Sequence, residues 1–84
     1  MAELDPDARA RLRDSSFAYV DHAGERHLPI HDRAHVRTAV DRFDATDFES
    51  KSARYAAARL ILAAARRHDI EVDRDSAVAR AARS

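Results

Sequence analysis

Phe17-Ala18-Tyr19-Val20-Asp21-His22-Ala23-Gly24-Glu25-Arg26-His27-Leu28-Pro29-Ile30 decides the fold, because it reads as two short strands around the chain's only glycine. Phe17, Tyr19 and Val20 supply the aromatic and β-branched character of a strand. Gly24 sits where the chain must reverse, and glycine reaches positive φ without steric cost. Arg26 to Ile30 then returns as the second strand of a hairpin with a loop of about three to five residues. Pro29 has no N–H to donate, which places it at a sheet edge or a strand exit. A lone hairpin is unstable in water, so this one must pack on helices.

The segments on either side supply them. Asp32 or His31 caps a helix over Asp32–Phe43, in which Val36, Ala39, Val40 and Phe43 fall at i, i+3, i+4 and i+7 and face the hairpin. Thr46-Asp47-Phe48-Glu49 fits the S/T-x-x-E capping box, so a longer helix is expected over Asp47–Arg67. Its apolar face comprises Ala53, Ala56, Ala57, Leu60, Ile61 and Ala64. Ile70-Glu71-Val72 alternates after it and could add a third short strand. Towards the N-terminus, Asp5 and Pro6 suit the start of a short helix over Asp5–Asp14, with Leu4, Ala8 and Leu12 as its thin apolar content. Val78 is the one large apolar residue after Asp73, so 73–84 reads as a weak helix or a mobile tail. The expected architecture is a small α+β domain: a helical segment at 1–14, a compact hairpin–helix–helix unit at 15–72, and the tail at 73–84.

Composition narrows the function classes. The chain has 84 residues with 15 Lys+Arg against 15 Asp+Glu, five His and no Cys or Trp. Its length suits one small domain, and no stretch approaches the roughly 18 apolar residues of a membrane span. No apolar run follows Met1, so no secretory leader is expected and a cytoplasmic location is. Without cysteine there is no disulfide, thiolate nucleophile or zinc–thiolate site. Apolar residues make up 45%, but half of them are alanine, leaving a scant core. A net charge of zero does little to discourage self-association.

Two constellations stand out. His27, His31 and His35 are spaced by four, and His31 and His35 lie one helical turn apart with Asp32 between them. Two imidazoles at i and i+4 are what zinc helices use. A zinc signature normally adds a third protein ligand and a glutamate between the histidines, and Pro29 keeps His27 out of the same helix. The structural alternative is preferred: His31 and Asp32 cap the helix while His35 half-buries beside the hairpin. No metal and no other cofactor is expected, although three histidines near their ordinary pKa of about 6.5 would make folding pH-sensitive.

The second constellation is electrostatic. Ser50 to His68 contains no acid, while Lys51, Arg54, Arg59, Arg66 and Arg67 are basic. Lys51, Tyr55, Arg59, Leu62 and Arg66 share one side of a helical projection, with Phe48 near it one turn earlier. Cations interleaved with an aromatic ring track phosphates and stack bases, so Lys51, Tyr55, Arg59 and Arg66 are candidate nucleic-acid contacts. The competing reading pairs these cations with the acidic segments Asp41–Glu49 and Asp69–Asp75. Nothing points to an enzyme: there is no glycine-rich phosphate loop, and Ser15-Ser16 has no identifiable base.

The stretches Ser16-Phe17-Ala18-Tyr19-Val20-Asp21, Gly24-Glu25-Arg26-His27-Leu28-Pro29-Ile30-His31-Asp32, Ala34-His35-Val36-Arg37 and Ala39-Val40-Asp41-Arg42-Phe43 resemble a family of small uncharacterised proteins of actinobacteria and phages. The resemblance extends over about Ser15 to Val72, through Ala64-Ala65-Arg66-Arg67-His68-Asp69-Ile70-Glu71-Val72. It implies a compact module, sometimes appended to phage head proteins, without an assigned activity. It marks Pro29, His31, Asp32, His35 and Arg37 as a signature corner between hairpin and helix. Thr38 departs from the family's common Asn, and Asp69 stands where a glycine usually closes the long helix. The expected role is a non-enzymatic interaction or structural module that self-associates as a dimer or binds a protein partner. Nucleic-acid binding and a metal- or pH-responsive histidine site are the alternatives, and no membrane partner is expected.

Overall fold

The computed structural model describes residues 13–83. The helix expected over Asp5–Asp14 falls almost wholly outside them; Asp14 opens a short 3-10 turn, Asp14–Ser16. Strands β1 (Phe17–Val20) and β2 (Arg26–Pro29) pair antiparallel, with Phe17 opposite Pro29, Tyr19 opposite His27 and Val20 opposite Arg26. The turn is built by Asp21, whose Oδ1 accepts from the backbone N–H of Ala23 at 3.0 Å and of Glu25 at 2.9 Å. Gly24 has φ 84°, the left-handed geometry the reversal requires. Pro29 ends β2, and the Ile30 N–H closes the hairpin on the Ser16 carbonyl at 2.8 Å.

Strict alternation does not hold. Phe17, Ala18 and Tyr19 are all buried, and Leu28 takes φ 57° inside β2 and buries its side chain in the core. A non-glycine residue in that region is strained, and here burial of the leucine accompanies it.

Helix α1 (Arg33–Arg42) packs on β2 and helix α2 (Lys51–Arg67) on β1, and the two helices pack on each other. Asp32 is the N-cap of α1, accepting from the His35 N–H at 2.8 Å. Val36, Ala39 and Phe43 are buried and Val40 is partly so, which is the expected apolar face. Phe43 itself opens a 3-10 turn, Phe43–Ala45.

The capping box does not start α2. The helix begins at Lys51, capped by Ser50, whose hydroxyl accepts from the Ala53 N–H at 3.0 Å. Thr46 turns back instead and donates to the Arg42 carbonyl at 2.9 Å. The reason is Phe48, whose ring packs 4.9 Å from Tyr19 and 5.1 Å from Phe43 and holds the chain non-helical until it has been buried. The apolar face of α2 is also rotated. Ala57, Ala58, Ile61, Ala64 and Ala65 are buried, whereas Ala56 is exposed and Leu60 is 47% exposed.

What turns it is helix α3 (Ala77–Ala82), in the segment read as a weak helix or tail. Ser76 caps it by accepting from the Ala79 N–H at 3.2 Å, and α3 packs on α2 with Val78, Ala79 and Ala81 buried. Small alanines on both helices permit the close approach. No third strand forms among the described residues. Ile70 and Val72 do pack against the core, but the chain reaches them through a helix-terminating loop. Asp69 takes φ 54° there, its N–H bonds to the Arg66 carbonyl at 3.3 Å, and the Ile70 N–H bonds to the Ala65 carbonyl at 2.8 Å. That pair of bonds is the Schellman ending, achieved without glycine.

Candidate functional site

The corner between β2 and α1 gathers His31, Asp32 and His35. Their ligating atoms all lie within 4.8 Å of one another. Asp32 Oδ1 receives the His35 ring at Nδ1, 2.7 Å away, in addition to the His35 N–H, and Asp32 Oδ2 lies 3.3 Å from His31 Nε2. The two imidazole centroids are 4.4 Å apart. One carboxylate therefore sits between two imidazoles, with the histidine side chains 19% and 17% exposed and Asp32 49% exposed. Burial pushes the Asp32 carboxyl up, but the His35 N–H, the His35 ring and the nearby imidazole charge outweigh it and hold the group below its ordinary value. The other His31 nitrogen, Nδ1, is buried without a hydrogen-bond partner among the described residues. Pro29 fixes the approach to this corner; Arg37 is exposed and takes no part in it.

A second cluster occupies the far end of the hairpin. His27 Nε2 meets Asp21 Oδ2 at 3.1 Å, Glu25 lies within the same reach, and the His27 ring stacks on Tyr19 with centroids 5.3 Å apart. The hydrogen bond from His27 is the largest influence lowering the Asp21 carboxyl. Tyr19 accepts from the Glu49 N–H at 3.1 Å, and burial pushes its phenol up. Glu49 in turn takes the His22 N–H at 3.1 Å and the His22 ring, which raises the imidazole and lowers the carboxyl. Tyr19 and His27 thus meet, while Arg26 pairs with Asp14 at 2.9 Å and His31 belongs to the other corner. The His22–Glu49 contact spans 27 residues, and no local pattern announces it. The His27–Asp21 contact follows from the observed register, Tyr19 opposite His27, which a loop of about three to five residues had left open.

The basic side of α2 is exposed around Lys51, Tyr55, Arg59 and Arg66. Phe48 is not among them, being packed on Tyr19 and Phe43, and Leu62 leans on the core. Arg59 donates to the Tyr55 hydroxyl at 2.9 Å, with its guanidinium 5.6 Å from the ring centre. Arg54 pairs with Asp44 at 3.4 Å and covers Phe43 at 4.7 Å. Among the described residues, Lys51, Arg66 and Arg67 make no ion pair. Lys51, Arg54, Tyr55 and Ala81 line a shallow cavity of about 350 Å³ where α3 meets the start of α2.

Across residues 3–75 the chain matches a family of unknown function, DUF6582. It belongs to that family. The DUF6582 match takes in the hairpin, both main helices and the His31–Asp32–His35 corner, and ends just before α3. No curated protein and no solved structure matches the chain. No helix among the described residues is long and apolar enough to cross a membrane.

Proposed function

We propose that this DUF6582 domain is a non-enzymatic interaction module that associates with further copies of itself through the exposed side of α2. The observation that carries the reading is the placement of Tyr55 and Leu60. They are the exposed large hydrophobic side chains of the described residues, at 37% and 47%, and both lie on α2. Around them Lys51, Arg66 and Arg67 lack ion pairs, while Asp41, Asp47, Glu71 and Asp75 carry no ion pair elsewhere on the surface, in each case among the described residues. A two-fold contact of α2 with itself would set cation against cation. A head-to-tail contact sets the α2 cations against the acids of a neighbouring copy, and the zero net charge adds no long-range repulsion. The proposed setting is the cytoplasm of an actinobacterium or of a phage-infected cell, supported by the likeness of the signature.

Sedimentation velocity on the full chain from low to high micromolar concentration tests this. The expected result is a mean mass that rises above 9.4 kDa with concentration, falls back in high salt, and stays monomeric in Leu60→Ser/Arg66→Glu. A monomer throughout overturns it.

Nucleic-acid binding through Lys51, Tyr55, Arg59 and Arg66 is the second reading, supported by Lys51 and Arg66, which make no ion pair among the described residues, beside an exposed ring. It ranks below the first because the Arg59 guanidinium already covers Tyr55, where a base would stack. A mobility shift at low salt, weakened when Arg59 and Arg66 become Ala, supports it; no shift removes it.

A further inference from the structure

We infer that His31, Asp32 and His35 form a binding site for a borderline divalent transition cation, with zinc as the type ion. This goes beyond the association reading and uses a different face of the molecule.

The geometry is the first argument. Two imidazole nitrogens and a carboxylate oxygen converge within 4.8 Å, three donors of the kind that bind zinc, nickel or cobalt in preference to magnesium or calcium. Two ligands held about 2.0–2.1 Å from a tetrahedral ion lie about 3.3 Å apart. His31 Nε2 and Asp32 Oδ2 already stand at 3.3 Å. His35 Nδ1 stands 2.7 Å from the other carboxylate oxygen, Oδ1, and that pair must open from a hydrogen bond to a ligand spacing. Recession of both imidazoles and half-exposure of the carboxylate leave the outward position to water or a further ligand.

The second argument is what helix capping leaves over. The cap of α1 needs Asp32 Oδ1 and the His35 N–H, and both are satisfied. It needs neither imidazole. Both rings nevertheless stand against the Asp32 carboxylate, His35 Nδ1 at Oδ1 and His31 Nε2 at Oδ2.

The other His/carboxylate group is poorer. It sets one imidazole beside two carboxylates, where the His31 corner sets two imidazoles beside one. Two features moderate affinity at the His31 corner. The positive end of the α1 dipole opposes a cation there, and ligation through His31 Nε2 leaves an Nδ1 proton without an acceptor. Binding is therefore weaker than at a site without them. It also displaces the proton that His35 Nδ1 shares with Asp32 and weakens as pH falls.

Isothermal titration of the untagged full chain with zinc chloride near neutral pH, repeated with cobalt chloride, is the test. The expected result is one ion per chain, proton release, and a melting temperature that rises with zinc. Asp32→Asn is the decisive variant, because asparagine caps a helix as well as aspartate and so spares the fold while removing the charge. It should weaken binding about tenfold or more, as should His35→Gln, whereas His27→Gln should bind like the parent. Should His35→Gln fail to fold, Asp32→Asn carries the test alone. No binding up to millimolar zinc, unchanged affinity in Asp32→Asn, or loss of binding in His27→Gln overturns the inference.

Discussion

The Tyr19 hydroxyl accepts the backbone N–H of Glu49 at 3.1 Å, tying β1 to the connection that leads into α2. The same connection is gripped from the hairpin turn by His22, whose N–H and ring both reach the Glu49 carboxylate. Hairpin and helices are therefore joined by polar contacts as well as by the Tyr19–Phe48–Phe43 ring contacts.

Tyr19→Phe removes the acceptor for the Glu49 N–H and leaves the stacked rings in place. It should lower the melting temperature by several degrees while keeping the far-UV circular dichroism of the parent. A melting temperature equal to that of the parent would show that water takes over the Glu49 amide without loss.

The His22–Glu49 pair gives stability a pH window. Its hydrogen bond raises the His22 imidazole above 6.5, so the histidine's contribution is complete below that value and fades as pH rises through the raised folded value. Glu49 is lowered from 4.5, so its contribution is present above that value and fades as pH falls through the lowered one. Urea unfolding of the parent and of His22→Ala across acid to alkaline pH should differ most between the two and converge at both extremes. Both groups are exposed to solvent, so the difference is small and shrinks with salt.

Neighbouring residues on α2 should respond very unequally to truncation. Ile61 is fully buried, and Ile61→Ala should cost about 2–5 kcal/mol, enough to unfold much of a domain this small. Leu60 is the more exposed of the pair, and Leu60→Ala should stay within about 0.5 kcal/mol. Denaturant midpoints of the two variants check the orientation of the helix directly.

Asp69 closes α2 at φ 54° and places a carboxylate near the negative end of the helix dipole. Asp69→Gly relieves both, against the greater freedom glycine gives the unfolded chain. The net expectation is a gain of about 0.5–1 kcal/mol in chemical unfolding. A loss would mean that the unfolded-state penalty outweighs the relief.

Where signal and structure lie within one or two turns, the sequence was readable. Gly24 marked the hairpin, and Asp32 followed by Val36, Ala39 and Phe43 marked α1 with its cap and buried face. Failures arose where a distant contact overrode a satisfied local rule. Thr46 to Glu49 meets the capping-box pattern, yet burying Phe48 between Tyr19 and Phe43 delays the helix to Lys51. In α2, Ala53, Ala56, Ala57, Ala58, Ala63, Ala64 and Ala65 fall on several sides, so hydropathy offers too little contrast to say which side is buried, and α3 decides it. The candidate site was half legible. The spacing of His31 and His35 was plain, but Asp32 reads as a cap until the structure shows its second oxygen turned to His31.

Arg33 follows the α1 cap directly, and its guanidinium donates to the carbonyls of His68 and Asp69 at the far end of α2. The first turn of one helix thus serves as the end-stop of the other. With that bolt in place, α1 and α2 cannot slide lengthwise without uncapping the α2 terminus. The histidine corner at the start of α1 is thereby tied to the end of α2 opposite its Ser50 cap.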